Sequence, residues 1–220
     1  MIITIDGPAG GGKSTVARKL AEVLGIAFLD TGTTYRAVTL AALRRGVDLE
    51  DADALADLAA AVKIELLPGH DGTRVLLDGA DVTGEIRSAE VSDNAHYVAR
   101  SGPVREVLVD LQRRIGAALG DFVAEGRDQG SVVFPQADVK FYLDASPEVR
   151  ARRRFEEMLA AGQAADYRQV MEAILLRDGR DQSRPVAPLV KPAGAIEIDT
   201  SHLTADEVTA ELLRHVMERT

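Results

Sequence analysis

The chain has no cysteine among its 220 residues. This absence excludes disulfide bonds, thiolate zinc sites and a cysteine nucleophile. Long apolar runs are also missing, because no stretch approaches the roughly 20 residues that a membrane-spanning helix needs. The first apolar segment begins at Ile2, where we expect a strand, which leaves no room for a signal peptide. We therefore expect a cytoplasmic enzyme.

Basic charge is also in short supply. Lysine and arginine together number 26 against 35 aspartates and glutamates, which gives a net charge of −9. An acidic chain repels the phosphates of nucleic acid at long range, so we expect no nucleic-acid partner. Only 5 of the 26 cations are lysines, and the other 21 are arginines, whose planar fork can hold a phosphate with two hydrogen bonds. Most of these arginines fit a compositional bias, so position has to show which ones bind a ligand.

Alternating strand and helix patterns predict an α/β fold with a mainly parallel sheet and helices on both faces. The predicted strands are 2–5, 27–30, 122–125, 139–144 and 195–199, and the predicted helices are 15–24, 35–45, 51–61, 88–100, 103–119, 147–160, 167–178 and 204–218. Residues 62–83 break this alternation. Segments 62–67 and 73–77 flank the turn 68–72, and the short extended piece 80–83 follows. We interpret them as a β-hairpin in an inserted lobe.

The first apolar strand leads directly into a phosphate-loop motif of the form G-x-x-x-x-G-K-[ST]. The motif is Gly7-Pro8-Ala9-Gly10-Gly11-Gly12-Lys13-Ser14, and a helical pattern follows it. Glycines let consecutive backbone N–H groups turn toward the phosphates of a nucleotide, and the helix N-terminus adds partial positive charge. Lys13 would reach the outer phosphates, and Ser14 would help to hold Mg²⁺. The sequence therefore predicts a nucleoside triphosphate site.

Two further polar clusters follow predicted strands, where a doubly wound sheet places its ligands. The first runs from Asp30 to Arg36, and in it we expect Thr31 to cap the next helix. The second places Arg127 and Asp128 between two glycines directly after an apolar strand. An exposed ion pair contributes at most about 1 kcal/mol, which is a weak reason to place both charges there. We interpret Arg127 as a phosphate ligand and Asp128 as a contact to a sugar or base.

The last third of the chain carries a run of arginines. Arg150, Arg153 and Arg154 have i, i+3 and i+4 spacing, which predicts that they lie on one helical face. A second segment contains Arg177, Asp181 and Arg184. One interpretation is a solvated basic face, and the other is a mobile lid whose arginines close over a transferring phosphoryl group.

Taken with these motifs, the chain resembles the bacterial cytidylate kinases, members of the nucleoside monophosphate kinase group, over nearly its full length. The phosphate loop alone fits many families, whereas Asp-Val-Thr-Gly-Glu-Ile-Arg together with Gly-Arg-Asp is far more specific. The matching stretches are Ile3–Ala9 into the phosphate loop, Asp30–Gly32 with Tyr35-Arg36, Asp81–Arg87, Pro103–Arg105, Gly126–Asp128 with Val132–Pro135, and Arg177–Arg184 followed by Ala187–Leu189.

The resemblance implies a P-loop three-layer sandwich with an inserted lobe for a nucleoside monophosphate and an arginine-rich helical lid. It implies phosphoryl transfer from ATP to CMP, and to dCMP, assisted by Mg²⁺, in a monomeric enzyme that uses no general base. The expected boundaries are 1–35, 85–146 and 185–220 for the core, 36–84 for the CMP-binding lobe and 147–184 for the lid.

The resemblance also implies roles for individual residues. The expected ATP ligands are Gly7, Pro8, Ala9, Gly10, Gly11, Gly12, Lys13, Ser14, Thr15, Arg150 and Arg154, with Ser14 also at the metal. The expected CMP ligands are Thr31, Arg36, His96, Arg105, Arg127, Asp128, Arg177 and Asp181. The expected catalytic residues are Lys13, Arg127, Arg154 and Arg184.

Some positions depart from the family pattern. Thr31 and His96 stand where the family commonly has serine, and Gln129 and Ser131 replace an apolar residue and a threonine. His96 leaves the choice among CMP, dCMP and UMP open, because a serine there usually helps to hold the base. The other alternative is a GTP-dependent switch, but its guanine-reading Asn-Lys-x-Asp element is absent, since the only asparagine is Asn94, followed by Ala95.

Overall fold

A computed structural model describes residues 1–67 and 73–219. The chain divides into two compact units. The first unit combines Met1–Ile26 with Val123–Thr220, and the second is the intervening segment Ala27–Phe122. Within the described ranges, no helix is both long enough and apolar enough to cross a bilayer.

The first unit is built on parallel strands and helices. Its elements are β1 (Ile2–Asp6), α1 (Lys13–Leu24), β6 (Phe122–Gly126, entered at the last residue of the second unit), β7 (Val139–Asp144), α6 (Pro147–Ala160), α7 (Tyr167–Gln182), β8 (Ile196–Asp199) and α8 (Ala205–Met217). Strands β6, β1, β7 and β8 lie side by side in that order. Strand β7 runs parallel to both β1 and β8, with Ile3 opposite Val139 and Phe141 opposite Ile196. This arrangement confirms the predicted α/β class with a parallel sheet.

Local sequence explains where the helices of this unit begin and end. Helix α1 ends at Gly25, whose left-handed backbone (φ 66°) lets its N–H reach carbonyls of the last turn. Ser146 and Asp166 cap α6 and α7 by accepting backbone N–H groups of the first turn. Helix α7 extends to Gln182, four residues beyond the predicted end at 178. The extension places Asp181 on the helix.

The second unit contains the predicted hairpin. Its elements are β2 (Ala27–Asp30), α2 (Gly32–Arg45), α3 (Ala52–Ala61), β3 (Ile64–Leu67), β4 (Arg74–Leu77), β5 (Ala80–Asp81), α4 (Ala89–Arg100) and α5 (Gly102–Leu119). Strands β3, β4 and β5 form an antiparallel sheet in which Ile64 is opposite Leu77. The predicted turn 68–72, including His70, lies outside the described residues. Apolar side chains from α2 to α5 and from the hairpin pack into one core.

Thr31 corrects one local prediction in this unit. It stands directly before α2 but makes no side-chain capping hydrogen bond. Its backbone is already helical (φ −72°, ψ −23°), whereas a capping residue ordinarily has an extended backbone. Its carbonyl oxygen instead accepts a hydrogen bond from the Thr34 hydroxyl at 2.7 Å.

Candidate active site

The phosphate loop joins β1 to α1 through positions that require glycine. Gly7 has φ 147°, and a Cβ there would lie 2.0 Å from the carbonyl oxygen of Leu143. Gly10 and Gly12 adopt left-handed backbones with φ 74° and 78°. These conformations let the segment Gly7–Ser14 wrap tightly at the N-terminus of α1, where backbone N–H groups attract phosphates. The loop has the backbone that a triphosphate site requires.

Lys13 is buried at the first turn of α1. Its Nζ donates a hydrogen bond of 2.7 Å to the carbonyl oxygen of Pro8. Burial lowers the pKa of Lys13 from 10.5 to about 7, and the nearby positive charges of Arg127 and Arg177 add to the effect. The acidic groups of Glu125 and Asp181 act in the opposite direction. An anion bound in the loop would favour the protonated amine, so the site is electrostatically suited to phosphate.

Ser14 follows Lys13 and contacts a carboxylate that the sequence did not single out. The Ser14 hydroxyl donates a hydrogen bond of 2.5 Å to Oε1 of Glu125 on β6. Glu125 is the last residue of the strand predicted at 122–125, and a carboxylate at the end of an apolar strand was a usable signal. Thr15, the next predicted ATP ligand, is exposed in the same helical turn.

The hydroxyl oxygen of Ser14 and the carboxylate oxygen of Glu125 are the kind of ligand that a hard cation such as Mg²⁺ prefers. Mg²⁺ is commonly held by one or two protein oxygens together with phosphates and water, not by an all-protein cage. Within the described residues, no group of three or more His, Cys, Asp or Glu side chains could hold a metal. The hydroxyl of Ser14 and the carboxylate of Glu125 therefore fit Mg²⁺ bound with a nucleotide.

A second cluster joins the loop after β6 to helix α7. Nε of Arg127 donates a hydrogen bond of 2.9 Å to Oδ2 of Asp181. Arg184 reaches the same carboxylate at 3.4 Å. Burial alone would raise the pKa of Asp181, but the charges of Arg127 and Arg184 hold it below the ordinary value. Arg177 lies on the solvent-exposed side of α7, one turn before Asp181.

This cluster gathers residues that lie more than fifty positions apart in sequence. Burial lowers the pKa of Arg127, yet the attraction of Asp181 dominates and raises it, so the guanidinium stays charged. Asp128, the next residue, is almost fully buried and begins a single π-helical turn, Gln129–Val133. Turns of this kind often mark functional sites.

The predicted stripe of arginines is present on helix α6, but the three side chains do not meet at one place. The Arg150 side chain is buried, donates to the carbonyl oxygens of Ala145 (2.8 Å) and Ala9 (3.1 Å), and pairs with Asp178 at 2.7 Å. These partners direct the Arg150 guanidinium toward the interior of the protein. Arg150 therefore ties α6 to the phosphate loop and to α7.

Two other arginines of α6 point elsewhere. Arg153 donates to the hydroxyl of Thr200 at 3.1 Å and to carbonyl oxygens of the loop after β8. Arg154 is exposed and pairs with Glu157 at 3.2 Å. The i, i+3 and i+4 spacing fixed their positions on the helix but not the direction of these long side chains. The ATP roles of Arg150 and Arg154 stay predictions.

The second unit has its own candidate residues. The Arg36 guanidinium donates to the Ser92 hydroxyl at 2.7 Å and to the Ile86 carbonyl oxygen at 3.4 Å, so α4 and the preceding short turn orient it. Ser92 was not among the predicted residues. Thr31, a predicted CMP ligand, is buried beside the start of α2.

Arg105 and His96 are the other predicted ligands in this unit. Arg105 is almost fully buried, donates to the carbonyl oxygen of Ala99 at 3.2 Å, and lies 5.3 Å from the centre of the Tyr35 ring. Nδ1 of His96 lies 2.7 Å from the carbonyl oxygen of Asp93. A carbonyl oxygen only accepts, so Nδ1 carries the hydrogen. The unit thus holds two guanidinium groups, Arg36 and Arg105, in fixed orientations.

Comparison with known proteins gives one consistent family. The profile described as "Cytidylate kinase" matches residues 3–218. A curated cytidylate kinase of Desulforamulus reducens is 50% identical over 214 residues, which cover 97% of this chain and 96% of that protein. Cytidylate kinases of Exiguobacterium sp. (47% identical, covering 98% and 96%) and Mycobacterium leprae (46% identical, covering 100% and 96%) match over similar lengths.

Solved structures are similar in fold at much lower identity. An uncharacterized protein from Eubacterium ventriosum aligns with a TM-score of 0.53 at 13% identity, covering 100% of this chain and 99% of that one. A shikimate kinase from Bacteroides thetaiotaomicron aligns with a TM-score of 0.50 at 14% identity, covering 99% and 98%. At these identities the likeness concerns the α/β fold alone.

Proposed function

The chain belongs to the cytidylate kinase family, and from this membership we propose that it transfers a phosphoryl group from ATP to CMP, giving ADP and CDP. We extend the proposal to dCMP as a second acceptor. One observation beyond the family match supports the proposal. The charges of Arg127 and Asp181 act on Lys13 in the phosphate loop, and Arg184 pairs with the same Asp181 carboxylate as Arg127.

On the donor side, the loop would hold the phosphates of ATP. Backbone N–H groups of Gly7–Ser14 and the charge of Lys13 neutralise the developing negative charge on the transferred group. Ser14 and Glu125 would hold Mg²⁺, and the bound ion would supply positive charge that stabilises the negative charge of the phosphates. We propose that Arg150 and Arg154 complete the donor side. Arg150 would do so by holding the phosphate loop and α7 together, since it bonds to Ala9 in the loop and to Asp178 on the helix.

On the acceptor side, we propose that Arg127 binds the phosphate of CMP while Asp128 contacts the cytosine amino group. Arg177 and Asp181 would contact the sugar, and Arg184 the transferred group. In the second unit, the proposed CMP ligands are Thr31, Arg36, His96 and Arg105.

The reaction needs no general base. A phosphate monoester loses its second proton near pH 6, so at neutral pH its oxygen is already ionised and can attack. That oxygen forms a bond to the γ-phosphorus of ATP while the bond from that phosphorus to the β–γ bridging oxygen breaks, and ADP leaves. The protein supplies position and charge stabilisation. Closure of the segment 147–184 as a lid would exclude water and so prevent hydrolysis of ATP.

We also propose that the enzyme works as a monomer in the cytoplasm on free nucleotides. The net charge of −9 supports the last point, because long polyanions such as nucleic acid are repelled more strongly than mononucleotides.

A panel of acceptors tests the proposed substrate. With ATP and Mg²⁺ fixed, initial rates of ADP release are compared for CMP, dCMP, UMP, AMP and no acceptor. We expect kcat/KM for CMP to exceed that for UMP at least about tenfold, because the hydrogen bond from the cytosine amino group to Asp128 has no counterpart in UMP. Equal or faster turnover of UMP would contradict the assignment and would point to His96 as the altered base contact.

Replacing Asp128 tests the base contact directly. Asp128→Ala is expected to raise the KM for CMP about 10- to 100-fold, the effect of losing a hydrogen bond to a charged group. The KM for ATP should change less than about threefold, because donor binding depends on the phosphate loop. Steady-state kinetics with each substrate varied in turn measures both. The control is Asp110→Ala on the exposed side of α5. Unchanged kinetics with CMP would remove Asp128 from the site.

A further inference from the structure

Asp6 is a fully buried carboxylate to which the reaction described above gives no role. It is the last residue of β1 and directly precedes Gly7 of the phosphate loop. Its Oδ1 accepts the backbone N–H of Gln129 at 2.7 Å, and its Oδ2 accepts the N–H of Gly130 at 2.8 Å. Both oxygens are therefore used, and both bonds go to the turn that follows Arg127 and Asp128.

The turn held by Asp6 is closed at its other end by its own backbone. The carbonyl oxygen of Asp128 accepts the N–H groups of Val132 (2.9 Å) and Val133 (3.2 Å). Gly130 packs so closely that a Cβ there would lie 2.8 Å from Oγ1 of Thr4. The turn thus has little room to move against β1, and Asp6 anchors its first two N–H groups.

A carboxylate is a costly choice for this position. Burial, to which the charge of Asp128 adds a smaller contribution, raises the pKa of Asp6 from 3.8 to about 6. The hydrogen bonds from Gly130 and Gln129 and the charge of Lys13 act in the opposite direction and limit the rise. A neutral side chain would avoid the desolvation, but the two N–H groups bond to different oxygens of Asp6, and an amide would turn its NH₂ group toward one of them. The carboxylate of Asp6 offers both N–H groups of the turn an acceptor oxygen.

We infer that Asp6 is a positioning residue for the acceptor: it fixes the turn that presents Arg127 and Asp128 and ties that turn to the strand carrying the phosphate loop. It touches neither substrate. The inference rests on the proposed roles of Arg127 and Asp128, whereas the loop that binds ATP is held separately by its glycines and by the bond from Lys13 to Pro8. Loss of Asp6 should therefore affect the acceptor more than the donor.

The first test measures the turn without any substrate. In Asp6→Asn, the amide hydrogens of Gln129 and Gly130 are expected to exchange with solvent at least about tenfold faster than in the wild type, because one N–H loses its acceptor and faces an NH₂ group. The control is Ile3→Val in the same strand, because Ile3 is buried and lies on the opposite face of β1 from Asp6. Ile3→Val should leave both exchange rates unchanged. Unaltered exchange in Asp6→Asn would overturn the inference.

The second test separates positioning from a general loss of structure. Asp6→Asn is expected to raise the KM for CMP at least about tenfold, with less than about a threefold change in the KM for ATP. Equal increases in both constants, or none, would contradict the inference. Asp6→Ser is the second variant if the asparagine protein does not fold, and failure of both to fold would make Asp6 a determinant of folding and overturn its positioning role. A wild type that makes no CDP would contradict the proposed function instead, while the exchange test would still decide whether Asp6 holds the turn.

Discussion

Replacing Lys13 with methionine is expected to lower kcat for CDP formation at least about a hundredfold, the scale of losing one transition-state donor. The Nζ of Lys13 lies at the phosphate loop, where charge develops on the transferred group. Methionine fills a similar volume but carries neither a charge nor a donor. Steady-state kinetics at saturating ATP and CMP measures the effect.

The same variant should be at least as stable as the wild type when no ligand is bound. Burial lowers the pKa of Lys13 to about 7 in the folded protein, against 10.5 for the ordinary side chain. Between these two values the unfolded chain binds more protons than the folded one, so the wild type gains stability as the pH rises. The advantage of the methionine protein should therefore be largest at about pH 7 and narrow toward about pH 10. Melting temperatures across this range measure it.

Lys19→Met is the matched control, because Lys19 lies on the same helix but forms a surface ion pair with Asp206. We expect its kcat to change less than about twofold, since exposed pairs contribute little. Near-normal turnover of Lys13→Met would contradict the role of Lys13. A melting temperature far below that of the wild type would mean that unfolding explains the loss.

Arg127→Ala is expected to lower kcat/KM for CMP at least about a hundredfold, which corresponds to about 2.7 kcal/mol. The guanidinium of Arg127 is held by Asp181 at 2.9 Å, which fixes it in the charged form close to Lys13. Removing it would take away the phosphate ligand and leave the Asp181 carboxylate with Arg184 alone among the partners described above. Arg127→Lys restores the charge without the planar fork, so we expect an intermediate rate.

Arg180→Ala serves as the control for this prediction. Arg180 is an exposed arginine on α7, one residue before Asp181. Its removal changes the net charge by the same amount, so a purely long-range effect of charge would appear in both variants. CDP formation by Arg127→Ala close to that of Arg180→Ala would remove Arg127 from the mechanism.

The features that the sequence predicted well are those that local chemistry determines. The tight turn of the phosphate loop was predicted from its glycines, and Gly10 and Gly12 do have left-handed backbones there. Such a turn depends only on residues a few positions apart. The hairpin follows from alternating apolar residues in the same way, since β3 and β4 pair where the two extended segments were predicted. Periodicity and turn chemistry were therefore sufficient for the α/β class.

The contacts that the sequence did not predict join distant segments. Asp6 reaches Gln129 across 123 positions, and Ser14 reaches Glu125 across 111. No local pattern encodes such pairs, because they exist only once β1 and β6 lie together in the sheet.

The predictions for long side chains and for helix ends were wrong for a related reason. The spacing of the arginines in α6 predicted where they lie on the helix but not where their side chains point, and the Arg150 side chain points toward the buried Asp178. Helix α7 was predicted to end before Gly179, yet it continues to Gln182, and Asp181 then pairs with Arg127. Tertiary partners overrode the local cost of a helical glycine.

The central claim is that this chain moves a phosphoryl group from ATP to CMP and not to water. Incubating the protein with ATP, Mg²⁺ and CMP and separating the products by anion-exchange chromatography tests it most directly. The account predicts ADP and CDP in equal amounts, no free phosphate, and almost no ADP when CMP is left out. ADP accompanied by free phosphate in place of CDP, at a rate that does not depend on CMP, would contradict it.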